Sequence, residues 1–156
     1  MIIGHASAAD LDAILGLEQA GFAPAEQWSG ESWASELAED GHCVLTHRDA
    51  DGCLVGVAAF SSVDDMADLN RVVVVPSARG RGIGGALVRA GLEWAQAVGA
   101  NRMLLEVSTD NLAALGLYRR LGFDEIHCRK DYYGPGRDAL VMVRPIEVEE
   151  DEWMLV

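Results

Sequence analysis

The chain has 156 residues, with 25 aspartates and glutamates against 12 lysines and arginines, and a formal net charge of −13. Half of the residues are hydrophobic, which excludes a disordered chain and predicts one globular domain with a sizeable core. Such acidity argues against direct binding of nucleic acid, whose phosphates need a basic face, and favours a cationic substrate or partner.

In chain order, Ile2 and Ile3 predict a short first strand. Residues 8–21 read as a helix with Leu11, Ile14, Leu15 and Leu17 as its apolar stripe and Gly21 as its stop. Residues 22–28, which include Pro24, read as a loop. Ser29 is the expected N-cap of a second helix, SGESWASELAED, with Glu31 in its first turn, Trp33 and Leu37 on one face and Gly41 at its end. Residues 42–46 and 53–60 read as strands joined through DADG, a polar turn around Gly52, and so as a hairpin. Asp64, Asp65 and Asp68 fall in the next turn. Their spacing misses the EF-hand loop, so a solvated turn is expected. The four valines from Val72 to Val75 predict a strand buried on both faces, which Pro76 ends because it has no N–H to donate. Ile83, Leu87, Ala90, Trp94 and Val98 recur at helical spacing, and Gly99 supplies the stop. Residues 102–107 read as a strand. Thr109 and Asp110 then offer N-caps for a helix over 111–121, and Gly122 and Phe123 turn into a strand of about six residues. A last strand covers 139–143. The expected organisation is a single domain over 1–146 and an acidic tail over 147–156, in which five of the six residues 147–152 are acidic.

No apolar run approaches the length of a membrane span, and the N-terminus lacks the basic-then-apolar pattern of a signal peptide. The expected location is therefore the cytoplasm, without membrane contact. Cys43, Cys53 and Cys128 are odd in number and lack Cys-x-x-Cys spacing. They predict reduced packing residues, and neither a disulfide framework nor a metal site.

The chemistry concentrates around LNRVVVVPSARGRGIGGALV. Gly80, Gly82, Gly84 and Gly85 leave the backbone bare where a helix begins, and a helix N-terminus carries unpaired N–H groups that suit a phosphate or pyrophosphate. The spacing matches neither the dinucleotide fingerprint nor the Gly-Lys-Ser/Thr ending of a P-loop, so a plain glycine-rich turn is an equal alternative on spacing alone. Arg79 and Arg81, in an otherwise acidic chain, favour the anion site. Glu106 lies within the apolar strand MLLEV, where an ionised carboxylate is costly unless paired or wetted; the plainer alternative is a strand-end glutamate facing solvent. Asn111 opens a helix, where capping is the plain reading. Tyr118 follows seven residues on, about two turns, and so shares its face; its plain reading is packing beside Leu115 and Leu121.

Taken together, RGRGIGGALV, LEV and N-x-x-A-x-x-L-Y-x-x-L-G-F at these separations resemble the GNAT acetyltransferases. QWSGESWASEL and RKDYYGPGRDALVM look like the RimI branch of that family, the bacterial N-terminal acetyltransferases of ribosomal proteins. The resemblance covers roughly residues 5 to 145. Gln27-Trp28-Ser29 stands where the branch usually has Pro-Trp-Ser, and Val75 stands where a polar residue often precedes the proline.

The resemblance implies an α/β (α+β) fold with a mixed, mostly antiparallel central sheet, two splayed central strands and helices on both faces. It implies that the backbone of Arg79, Gly80, Arg81, Gly82, Ile83, Gly84 and Gly85 holds the pyrophosphate of acetyl-CoA. Val72, Val73 and Val74 would pair with the pantetheine arm, and Asn111 would contact the cofactor. Glu106 matches the general base and Tyr118 the general acid, in direct attack on the thioester by an amine, with no metal. The implied acceptor is the N-terminal α-amine of a ribosomal or other protein. One rival is a GNAT enzyme acting on lysine or a small amine such as a polyamine, drug or metabolite; DYYGPGRDALVM, at the end of the fold that shapes the acceptor groove, argues against it. The other is a non-catalytic CoA-binding scaffold, against which Glu106 and Tyr118 both count.

Overall fold

The computed structural model describes residues 2–147. They gather into two compact units, one formed by residues 2–61 and 68–91 and the other by 62–67 and 92–147.

The first unit begins with β1 (Ile2–His5) and a 3₁₀ turn at Ala8–Asp10 that runs into α1 (Leu11–Gly21). A second 3₁₀ turn at Pro24–Glu26 leads to α2 (Gly30–Ala38), where the Ser29 side chain accepts the Ser32 N–H, the cap expected of it. Next come β2 (His42–Arg48), β3 (Leu54–Val63) and β4 (Met66–Val74), then a 3₁₀ turn at Pro76–Ala78 and α3 (Ile83–Ala97), of which residues 62–67 and 92–97 count with the second unit. The strands lie in the order β1-β2-β3-β4. β2 is antiparallel to both β1 and β3, with Ile2 opposite Arg48 and His42 opposite Ser61.

Strand alternation sends Val57 and Ala59 of β3 to one face and Gly56, Ala58 and Phe60 to the other. On the first face Ile14, Leu17 and Trp33, from α1 and α2, form a buried cluster with Val44, Val57, Ala59 and Val73. On the second, α3 approaches so closely that a Cβ on Gly56 would stand 2.8 Å from Ile83 Cγ2. A Cβ on Gly91 would fall inside the Phe60 ring. Helices thus cover both faces.

The second unit contains β5 (Arg102–Ser108), α4 (Leu112–Arg120), β6 (Asp124–Arg129) and β7 (Ala139–Pro145), with strands ordered β5-β7-β6. β7 is antiparallel to both neighbours, and its register with β6 shifts between Glu125 and His127. Met103, Leu105 and Val107 of β5 are buried, whereas Arg102 and Glu106 are exposed. Every residue of β6 is exposed. Gly99 and Gly122, after α3 and α4, both have a φ of +92°, the left-handed stop that glycine adopts without strain.

Several expectations need correction. The valine strand is not buried on both faces: Val73 is buried, but Val72 and Val74 are only half-buried, so burial alternates along this end of β4. It also begins earlier, at Met66, which takes Asp68 out of the turn and into the strand. The α3 stripe shifts, with Ile83, Leu87, Val88 and Ala95 buried and Val98, beyond the helix end, 49% exposed. Asn111, and neither Thr109 nor Asp110, caps α4. Of the three free cysteines only Cys43 is a packing residue; Cys53 and Cys128 are exposed. The predicted acidic tail, apart from Glu147, lies outside the described residues. Among the described residues no helix is long and apolar enough to cross a membrane, and no group of three or more His, Cys, Asp or Glu is placed to hold a metal ion.

The contact at Gly91 sets glycine's low helix propensity against packing. Alanine gains about 1 kcal/mol of propensity, but displacing a buried ring costs about 1–3 kcal/mol. With the Cβ 2.0 Å from Phe60 Cζ the cost lies at the upper end, and Gly91→Ala is expected to be less stable than the parent, by up to about 2 kcal/mol in urea denaturation.

Candidate active site

Pro76 ends β4, and residues 79–82 carry the chain into α3. Gly80 and Gly82 have φ of +81° and +80°, and a Cβ on either would meet nothing within 4 Å. Backbone conformation demands these glycines, and the space beside them is open. The first α-helical bond runs from the Ala86 N–H to the Gly82 carbonyl at 3.0 Å, so the preceding N–H groups have no intrahelical acceptor. Their partial positive charge suits an anion. Ile83 and Gly85 are buried, Gly84 is half-buried and Arg81 is exposed. Arg79 is engaged with backbone oxygens: Nε donates to the Val74 carbonyl (3.2 Å) and Nη2 to the Gly21 carbonyl (3.4 Å). It ties the loop to the ends of β4 and α1.

The second unit holds the other predicted residues. Glu106 stands opposite Val141 on β5, exposed, with Oε1 3.2 Å from Arg129 Nη2 of β6. Pairing and water together relieve the desolvation that a strand interior would impose, and so exposed a pair is worth about 1 kcal/mol or less. Asn111 fulfils the capping role, its Oδ1 accepting the Ala114 N–H at 3.1 Å. Tyr118, half-buried on α4, packs edge-on against Phe123 with ring centroids 5.9 Å apart. Burial, with a smaller contribution from Tyr133, pushes its phenol up to about 12. It therefore stays neutral across the working pH range and keeps its hydroxyl proton available for donation. The predicted residues thus fall into two groups, Val72–Val74 with the 79–85 loop in one unit and Glu106, Asn111 and Tyr118 in the other.

A further set, which sequence reasoning missed, lies in the first unit. Glu18 is only 1% exposed. Its Oε1 accepts from Trp33 Nε1 (3.0 Å) and Arg71 Nε (3.3 Å). Its Oε2 accepts from the Trp28 N–H (3.1 Å) and from Arg71 Nη2. Arg71 also donates to the Glu26 carbonyl at 2.8 Å, with its guanidinium 3.6 Å from the Phe22 ring centroid and 5.1 Å from that of Trp28. Position 18 lies four residues beyond Ile14 and seven beyond Leu11, a charge on the apolar stripe of α1, and that was the available signal. Beside Trp28 opens a cavity of about 410 Å³ that Ser29, Glu31, Ser32, Ser35 and Glu36 also line.

Comparison with known proteins identifies the family. The profile of the acetyltransferase (GNAT) family matches residues 10–123. A Mycobacterium tuberculosis protein named N-alpha-acetyltransferase RimI is 35% identical over 147 residues, 91% of this chain and 90% of that protein. The ribosomal protein bS18-alanine N-acetyltransferase of Escherichia coli K12 is 33% identical over 89% of this chain and 93% of its own length. A crystal structure of the Escherichia coli ribosomal-protein-S18-alanine N-acetyltransferase superposes with a TM-score of 0.86 at 28% identity, covering 97% of each chain. An uncharacterized Mycobacterium leprae protein is longer: at 35% identity the alignment takes in 92% of this chain but only 40% of that protein.

The raised phenol of Tyr118 has a consequence for stability. Its ordinary value is 10.0, and the folded state lifts it to about 12. The stabilisation is therefore complete below pH 10 and is lost as the pH climbs to 12. Tyr118→Phe is expected to flatten that alkaline loss, as measured by urea denaturation across a pH series.

Proposed function

The chain belongs to the acetyltransferase (GNAT) family and is an acetyl-CoA-dependent N-acetyltransferase, and we propose that it acetylates the N-terminal α-amine of a ribosomal protein such as bS18. The observation that carries this reading is the near full-length similarity to enzymes named for that reaction. On this reading the backbone amides of Arg79–Gly85 hold the pyrophosphate of acetyl-CoA, an assignment supported by the open, glycine-bearing helix start. Val72–Val74 present backbone groups to the pantetheine arm and the thioester oxygen. Asn111 spends its Oδ1 on capping α4, which leaves its amide N–H groups for the cofactor.

Attack on a thioester needs an uncharged amine, a donor to the developing oxyanion and a hydrogen-bond or proton donor at the departing sulfur. Glu106 takes the amine proton, directly or through water. Tyr118 serves the sulfur. A phenol at about 12 is a weaker acid than an ordinary thiol near 8.5 by roughly 5 kcal/mol, so its main contribution is a hydrogen bond to the developing thiolate, ahead of full proton transfer.

The amine's own acidity favours an N-terminus. An α-amine near pKa 8 is roughly a fifth neutral at pH 7.4 and a lysine about 0.1%, a difference of about 3 kcal/mol before attack begins. The net charge of −13 favours acceptors with basic residues downstream. The test is acetyl-CoA turnover on a panel containing the N-terminal bS18 peptide, a lysine peptide blocked at its N-terminus, and spermidine. The bS18 peptide should be fastest, with rates falling as salt rises. Faster turnover of lysine or spermidine would replace this reading with a small-amine or lysine acetyltransferase.

The two catalytic roles separate by pH. Glu106→Gln should lower kcat about 10²–10⁴-fold and recover in part at high pH, where the amine deprotonates unaided. Tyr118→Phe should lower kcat similarly without alkaline recovery, because the lost step lies at the leaving group. Parent-like pH–rate profiles in both variants would remove both assignments.

A further inference from the structure

Two arginines flank the valine run of β4, and both reach back to the segment between α1 and α2. Arg79, after the run, holds the Gly21 carbonyl where that segment begins. Arg71, before it, spans the rest: it stacks on Phe22, holds the Glu26 carbonyl, and shares the Glu18 carboxylate with the Trp28 backbone. Gly21 itself is pressed so near β4 that a Cβ would stand 2.8 Å from Val73 Cγ1. The outcome of this bracing is the position of Trp28, whose indole packs 5.1 Å from that of Trp33 and walls the open cavity lined by α2. A planar guanidinium can make these contacts at once because it carries five donors in a fixed fork and two stacking faces.

We propose that Arg71 is a positioning residue for the acceptor. It acts through Glu18 and Phe22 to hold residues 22–28, and with them the Trp28 wall of a cavity whose Glu31 and Glu36 suit the basic acceptor peptide proposed above. The inference rests on the acceptor reading above and adds to it a named specificity element outside the catalytic residues. A clamp of this kind lowers the cost of ordering the segment when a peptide binds, so its loss falls on acceptor binding, while the chemical step and acetyl-CoA are untouched.

Arg71→Lys tests this, because it keeps a cation beside the buried Glu18 but loses the fork and the stacking plane. With the bS18 peptide as acceptor, its KM should rise about tenfold, with kcat and the acetyl-CoA Kd within about twofold of the parent. Hydrogen exchange should quicken about tenfold in residues 22–28 and remain unchanged in α3. Phe22→Leu, which spares the ion pair and replaces the stacking ring with an apolar side chain that still faces the core, should raise the same KM by a smaller factor, and it decides the matter if Arg71→Lys does not fold. A folded variant with the parent's peptide KM overturns the proposal. So does a loss confined to kcat in proportion to the folded fraction, the mark of a purely structural residue. A parent enzyme that acetylates no free peptide N-terminus overturns both this proposal and the acceptor reading, whereas parent turnover with an unmoved KM overturns this one alone.

Discussion

A carboxylate almost without access to water organises the first unit. Taking an ion of this kind out of solvent costs several kcal/mol, and the cost is tolerable only when partners of good geometry replace the lost water. Glu18 accepts from the Trp33 indole, the Trp28 backbone and two nitrogens of Arg71, which fills both of its oxygens. The apolar cluster of Ile14, Leu17, Trp33, Val57 and Val73 drives α1 and α2 onto the sheet, but hydrophobic contact has no direction. The charged centre adds direction: α1, the segment after it, the start of α2 and β4 meet in one arrangement because any other would strand Glu18 among apolar groups.

The parts of the fold that depend on neighbouring residues were legible in the sequence. Helix stops at Gly99 and Gly122, the Ser29 cap, the hairpin of β2 and β3, and the strand break at Pro76 all follow from local chemistry. Features that depend on distant residues were not. The partner of Glu18 lies 53 positions away, and that of Glu106 lies on β6. The valines looked buried on both faces because composition carries no record of which neighbours a strand acquires. The same limit applies to the candidate site. The glycine loop was readable because positive φ selects glycine, whereas nothing local shows that Arg79 spends its nitrogens on the Val74 and Gly21 carbonyls. Asn111 was readable as a cap and as a motif residue, and its two ends allow both roles.

The contrast between Glu106 and Tyr118 follows from their surroundings. Glu106 sits on an exposed face of β5, with its Oε1 3.2 Å from Arg129 Nη2. Tyr118 is packed against Phe123, and burial favours its neutral form. On the proposed reading the exposed carboxylate takes up the amine proton and the packed phenol faces the leaving sulfur.

β6 carries a different kind of information. It is the outermost strand of its unit, exposed throughout, with Asp124, Glu125, His127 and Arg129 along six residues and a slip in register after Glu125. An open strand edge is a template on which a second chain can add itself, and mixed charges with a broken ladder are the usual defence. In a crowded cell, where ribosomal proteins supply many extended basic segments, an edge of this kind discourages indiscriminate strand addition.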